Sequence, residues 1–198
     1  MADRIDLRRR LQAVAFRQAG YFTASQAIEA GYSHQAQKYH SDRGNWTRID
    51  RGLYRMAEWP SSVDDAFVRW AVWSGNGILS HHSAALVHDM GDLDPRHVHL
   101  SVSTSRKGPE QVVMHVSDLN DDDVDDRGAF RVTSPTRTIL DLAGSDVGQE
   151  QLDQVVAEAA DRQIVRESVI RIRMDDVGDR GALRLERALA NVKARRAI

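Results

Sequence analysis

The stretch Tyr21–Met56, YFTASQAIEAGYSHQAQKYHSDRGNWTRIDRGLYRM, decides the fold. Thr23 and Gln26 have the T-x-x-Q spacing of a capping box, so a helix is expected to start at Ala24. Its apolar residues are Ala27 and Ile28, and Gly31 is placed to end it in the left-handed conformation. Ser33 offers a new N-cap, from which a second helix runs to Gly44. So short a connection makes the two helices cross steeply, as in a helix-turn-helix. Beyond it, residues 46–49 and 53–56 are β-prone runs joined by Asp50-Arg51-Gly52, a hairpin signal. Along the first run Trp46 and Arg48 face one way, Thr47 and Ile49 the other. Helix, turn, helix and hairpin together predict a winged helix, and with it a DNA-binding module.

The second of these helices, HQAQKYHSDRG, is too polar to be a core element. Ala36 and Tyr39 are expected to face inward with Tyr32. That leaves the capping Ser33 and the side chains of His34, Gln35, Gln37, Lys38, Ser41 and Arg43 for a ligand. Glutamine pairs bidentately with adenine, arginine with guanine, and lysine or histidine with phosphate. Arg48, Arg51 and Arg55 surround the hairpin, a distribution that suits the minor groove or flanking phosphates. Upstream, residues 4–19 repeat Ile5, Leu7, Leu11, Val14, Ala15 and Phe16 at close to helical period, which predicts an amphipathic helix ending at Gly20. Arg4, Arg8, Arg9 and Arg10 fall mostly on its other side.

The 198 residues, 41% hydrophobic and 28% charged, suffice for one domain with a proper core or two small ones. No apolar run is long enough to span a bilayer, and the N-terminus lacks the apolar core of a signal peptide. Cysteine is absent, which excludes disulfides, thiolate nucleophiles and cysteine metal sites and fits the cytoplasm. The net charge of −2 is unevenly spread: residues 1–56 carry ten Lys/Arg against five Asp/Glu, and the remainder 17 against 24. A basic head on an acidic body is what a DNA-binding module joined to a different domain would show.

Pro60 with Ser61-Ser62 marks a boundary, dividing the chain into a winged helix-turn-helix domain at 1–58 and a second domain at 62–198. In the second, Ser62 is expected to cap a helix over 63–74 that buries Val63, Phe67, Trp70, Ala71 and Trp73, and Gly75-Asn76-Gly77 to stop it. Ser80 opens another short helix, ended by Gly91. Residues 97–103 and 111–116 read as strands linked by a loop with Arg106 and Lys107; 119–126 reads as an acidic loop and 129–133 as a third strand. Ser134-Pro135 opens a helix with Ile139, Leu140 and Leu142 inward. Helices follow over 149–162, 166–174 and 183–192, then a frayed tail. The fold class expected is α+β: a winged helix followed by a mixed helical domain with a small central β-sheet.

No catalytic constellation emerges. The chain has no phosphate-binding loop, no nucleophile elbow and no dinucleotide fingerprint. His81, His82, His88, His97, His99 and His115 invite a metal reading, yet no His-x-x-x-His pair occurs, and the aspartates at 121–126 lack the glycine and closing glutamate of a calcium loop. No catalytic residue, metal or cofactor is therefore expected.

Four segments, GNWTRIDRGLYRM (44–56), LSHHSAALVHDMG (79–91), RHVHLSV (96–102) and VTSPTRTILDLA (132–143), occur in an order and spacing that resembles the AbiEi family of bacterial type IV toxin–antitoxin antitoxins. The resemblance implies a winged helix that binds inverted repeats in the promoter of its own operon, and a C-terminal domain tied to antitoxicity. It implies a nucleotidyltransferase-like toxin as functional partner, opposed without a stable complex, and no membrane. DNA contacts would belong to the helix at 33–43 and the wing at 48–55. Similar front halves occur fused to a repair-like endonuclease; the chain ends near where that would begin, so no nuclease is expected. Gln37 and Ser41 depart from the aliphatic residues of many relatives. One winged helix reads only a few base pairs, so two protomers per operator are expected. Two other readings compete: a nuclease remnant or nucleotide-handling enzyme at 62–198, and an antitoxin that binds its toxin directly through the acidic body.

Overall fold

The computed structural model describes residues 4–75, 77–104 and 107–196. The chain is mixed α+β and divides into two compact units, Met1–Gly77 with Arg127–Phe130, and Ile78–Asp126 with Arg131–Ile198. Asn76, Arg106 and the last two residues of the expected frayed tail lie outside the described residues.

The first unit runs α1 (Arg4–Arg17), β1 (Tyr21–Thr23), α2 (Ala24–Glu29), α3 (His34–Asp42), β2 (Trp46–Asp50), β3 (Leu53–Met56) and α4 (Asp65–Ser74). Its three strands form an antiparallel sheet in the order β1-β3-β2. The local signals act as the sequence implies. Gln26 N donates to Thr23 Oγ1 at 3.2 Å and Thr23 N to Gln26 Oε1 at 2.8 Å, closing the capping box. At the other end of α2, Gly31 N donates to Ile28 O and Tyr32 N to Ala27 O, the paired bonds of a Schellman motif. Gly31 has φ +107°, and a Cβ there would strike Leu7 Cδ2 of α1. Gly31→Ala is therefore expected to cost about 3 kcal/mol through backbone strain and overpacking, read as a lowered midpoint in urea unfolding.

β1 has no counterpart in the expectation, because three residues carry no periodic signal; it forms by pairing Tyr21 with Arg55 and Thr23 with Leu53, thirty or more positions away. α1 buries Leu11 and Ala15 completely, but Phe16 is 75% exposed and only its edge meets Trp59. The inward stripe of α1 is thus narrower than its apolar composition suggests. In α4 the buried residues are Val68, Trp70, Ala71 and Val72; Val63, expected on that face, precedes the helix and is fully in solvent.

The second unit has a five-stranded sheet in the order β6-β5-β4-β8-β7, made of β4 (Ile78–Leu79), β5 (Val98–Val102), β6 (Val112–Val116), β7 (Val124–Asp126) and β8 (Arg131–Thr133). β5 pairs with β6 in parallel, and β4 with β8 in parallel; the other pairings are antiparallel. Helices α5 (His81–Val87), α6 (Pro135–Gly144), α7 (Gln149–Asp161), α8 (Glu167–Ile172) and α9 (Gly178–Arg196) supply most of its core. Ile139, Leu140 and Leu142 of α6 are buried, and Ser134 caps that helix by accepting from Arg137 N. The expected acidic loop is corrected: residues 121–123 form a 3-10 turn, and β7 follows directly. Asp123 is 1% exposed, with Arg173 at 2.6 Å and Arg137 at 3.6 Å. Sequence distance hid these partners.

Candidate nucleic-acid interface

The geometry of α3 is set by an aromatic cluster. Trp46, 4% exposed at the start of β2, stacks on His40 of α3 at 4.7 Å and meets Phe22 and Tyr32 edge-on at 4.9 and 5.1 Å. Large rings in edge and stacked contact fix both the distance and the rotation of the helix they hold. Burial lowers the His40 pKa, so the imidazole is held neutral, and Asn45 Nδ2 donates to its Nδ1 at 3.1 Å. Ser33 anchors the other end of α3 by accepting from Ala36 N at 3.2 Å.

This rotation turns His34, Gln35, Lys38, Tyr39 and Asp42 to solvent, one continuous face at positions i, i+1, i+4, i+5 and i+8. Two residues of α3 differ from expectation. Tyr39, assigned inward from the sequence, is 55% exposed, and the Arg43 guanidinium lies 5.5 Å from its ring centroid. Gln37, assigned to the ligand face, is 2% exposed, and its Nε2 donates to Ala24 O at 3.2 Å and Tyr32 O at 3.5 Å. A glutamine suits the inward position because it reaches a carbonyl at the start of α2 and one in the α2–α3 turn, to which an aliphatic side chain could donate nothing. Gln37→Ala is accordingly expected to lower stability by about 1–3 kcal/mol in denaturant unfolding, by removing the donor to those carbonyls. Ser41 is half-buried and Arg43, the C-cap of α3, is exposed.

In the hairpin, Arg48 and Arg51 are exposed. The tip is shaped locally: Gly52 adopts φ +72°, and Arg51 N donates to Asp50 Oδ1 at 2.6 Å. Strand register shifts between Arg48 and Asp50, which bulges β2 just before the tip. Arg55 is a further correction. Its side chain is 13% exposed, with Nη2 donating to Pro60 O at 2.8 Å and to Asp65 Oδ1 at 3.0 Å, and its guanidinium sits 4.9 Å from the Tyr21 ring centroid. A cation so engaged is a fastener within the unit.

Exposed to solvent are thus Ser33, His34, Gln35, Lys38, Tyr39 and Arg43 on the α3 side, and Arg48 and Arg51 on the hairpin. One opposing charge lies among them. Asp42 holds Lys38 Nζ at 2.7 Å, both side chains being well exposed at 63% and 77%. Tyr39 and Asp42 were missed because a helix of nine residues with two apolar positions defines its direction poorly; assigning Gln37 inward would have found both.

In the second unit, four imidazoles meet. His81 stacks on His115 at 3.6 Å, His99 Nδ1 lies 3.0 Å from His115 Nε2, and the His82 ring is 4.8 Å from that of His99. Among the described residues no group of three or more His, Asp or Glu is disposed to hold a metal ion. Nor is any helix of the described residues long and apolar enough to cross a membrane.

No curated protein matches the chain in sequence. The crystal structure of the RV2827C protein from Mycobacterium tuberculosis is similar in fold, with TM-score 0.58 at 12% identity over 94% of this chain and 77% of that one. The family model described as "Transcriptional regulator, AbiEi antitoxin" matches residues 9–57, from within α1 to just past the end of β3. Over residues 9–57, therefore, the chain is similar to the AbiEi antitoxin family of transcriptional regulators.

Proposed function

We propose that residues 1–58 are a winged helix-turn-helix module that binds double-stranded DNA, and that the chain is the antitoxin and autorepressor of a type IV toxin–antitoxin operon. The observation that carries the reading is the exposed polar face of α3, together with the exposure of Arg48 and Arg51 on the hairpin that follows it, in the segment that matches a transcriptional-regulator family. In this reading α3 enters the major groove. Gln35 reads a base edge, Lys38, His34 and Ser33 meet phosphates, and Tyr39 offers an apolar edge to a thymine methyl. Arg48, Arg51 and Arg43 contact flanking backbone. Two protomers occupy an inverted repeat in the operon's own promoter, because one α3 spans too few base pairs for useful specificity. The functional partner is a nucleotidyltransferase-like toxin, opposed without a stable complex, and residues 62–198 form the antitoxin domain, with no catalysis of their own.

The test is fluorescence anisotropy of the purified chain on its own upstream DNA across a salt series. Specific binding two to three orders of magnitude tighter than to unrelated DNA is expected, with log K falling linearly in log salt. Undetectable binding at low salt over the whole upstream region would sink the repressor reading. Gln35→Ala should flatten the preference between the operator and single-base variants at one position, by about 1–3 kcal/mol, while leaving non-specific affinity unchanged.

A further inference from the structure

A cleft of about 490 Å³ opens in the first unit, on residues that the proposed DNA contacts do not use. Its walls are aromatic: Tyr32 and Trp46 belong to the cluster that holds α3, and Trp59 follows β3. Trp59 is locked by the backbone beneath it, since a Cβ at Gly20, at φ +87°, would collide with the indole. The polar groups are few. Arg8 and Gln12 extend from α1, Asn45 lies in the turn after α3, and Glu58 supplies the only carboxylate of the lining. Arg8 is exposed and forms no ion pair with a described residue. It nevertheless acts on Tyr32, whose hydroxyl is raised by burial and lowered in turn by the Arg8 charge.

Volume, flat apolar walls and one uncommitted cation define what fits. We infer that this cleft binds a small planar aromatic carboxylate, its ring against Tyr32 and Trp59 and its carboxylate on Arg8. Guanidinium pairs with a carboxylate through two parallel hydrogen bonds, and aromatic walls take a flat ring with little loss of conformational freedom. Glu58 limits the charge of the occupant, disfavouring phosphates and dianions. His40, Gly44 and Asn45 also line the cleft, which places it beside the C-terminal end of α3.

The probe is indole-3-carboxylate, titrated into the full chain by isothermal calorimetry, with neutral indole as its uncharged counterpart. One saturable site per chain is expected, weakened about tenfold or more by Arg8→Gln and lost in Gln12→Trp, which fills the cleft from an exposed helix position. Circular dichroism melts establish that both variants fold. Absence of saturable heat at millimolar probe, equal affinity for indole and its carboxylate, or unchanged binding in both variants would each overturn the inference. No DNA is present in the measurement, so its outcome is independent of the repressor reading.

Discussion

Reversing two charges, Lys38→Glu together with Arg51→Glu, should weaken binding to operator and unrelated DNA alike by about a hundredfold or more at low salt. Each residue contributes a phosphate contact in the proposed complex, and its reversal replaces counterion release with repulsion. The slope of log K against log salt should flatten by about two units, one for each lost contact. Stability should barely change. Both side chains are exposed, and the Lys38–Asp42 pair on the surface contributes little to folding. Asp42→Asn tests the same face with the opposite sign: freeing Lys38 and removing an anion should raise non-specific affinity several-fold. Anisotropy titrations at four or five salt concentrations measure all three effects. Unchanged affinity in the double variant would mean that α3 and the hairpin tip do not face DNA.

Acidification should destabilise the second unit well before carboxylate titration alone would do so. Burial, with the mutual repulsion of the clustered imidazoles, depresses His81 to about 2 and His99 to about 4. Burial also lowers His82 and His115. The unfolded chain takes up these protons as pH falls below 6.5, while the folded chain does not. Stability present above that value is therefore lost progressively as pH falls towards 4. Over two pH units each of His81 and His99 costs about 2.7 kcal/mol. Asp141 acts the other way. Burial raises it to about 6 against the pull of Arg137 at 2.7 Å, so its protonation in the folded state returns about 2 kcal/mol by pH 4.5. A net loss of about 3 kcal/mol between pH 6.5 and 4.5 is expected, visible as a falling midpoint in urea titrations followed by far-UV circular dichroism. His115→Phe keeps a ring in the stack but accepts no proton, so its loss should be shallower. A flat profile above pH 5 would contradict the closed packing of the four rings.

What could be read from the residues alone was whatever neighbours in sequence decide. Thr23 and Gln26, Ser33 and Ala36, and Ser134 and Arg137 make their capping bonds across three positions, so the starts of α2, α3 and α6 follow from composition and spacing. The hairpin tip at 50–52 is equally local, since Asp50 and Gly52 shape it by their own dihedrals and a single bond. The order α1, α2, α3, β2 and β3 is legible for that reason, though not β1 between them. So is the polar character of α3.

Tertiary structure decided the rest. The rotation of α3 depends on Trp46 and Tyr32 reaching His40 from other elements, and on carbonyls at Ala24 and Tyr32 that make a buried Gln37 the better choice. Arg55 becomes an internal fastener through Asp65, ten residues on, and Asp123 is neutralised by Arg173, fifty residues on. β1 and β4 are too short to announce themselves and exist because a distant strand completes their hydrogen bonds. In each case a polar or charged residue reads as surface until its partner is known. Capping and turn preferences act through the local backbone, whereas which face is buried follows from the summed contacts of residues far apart in the chain.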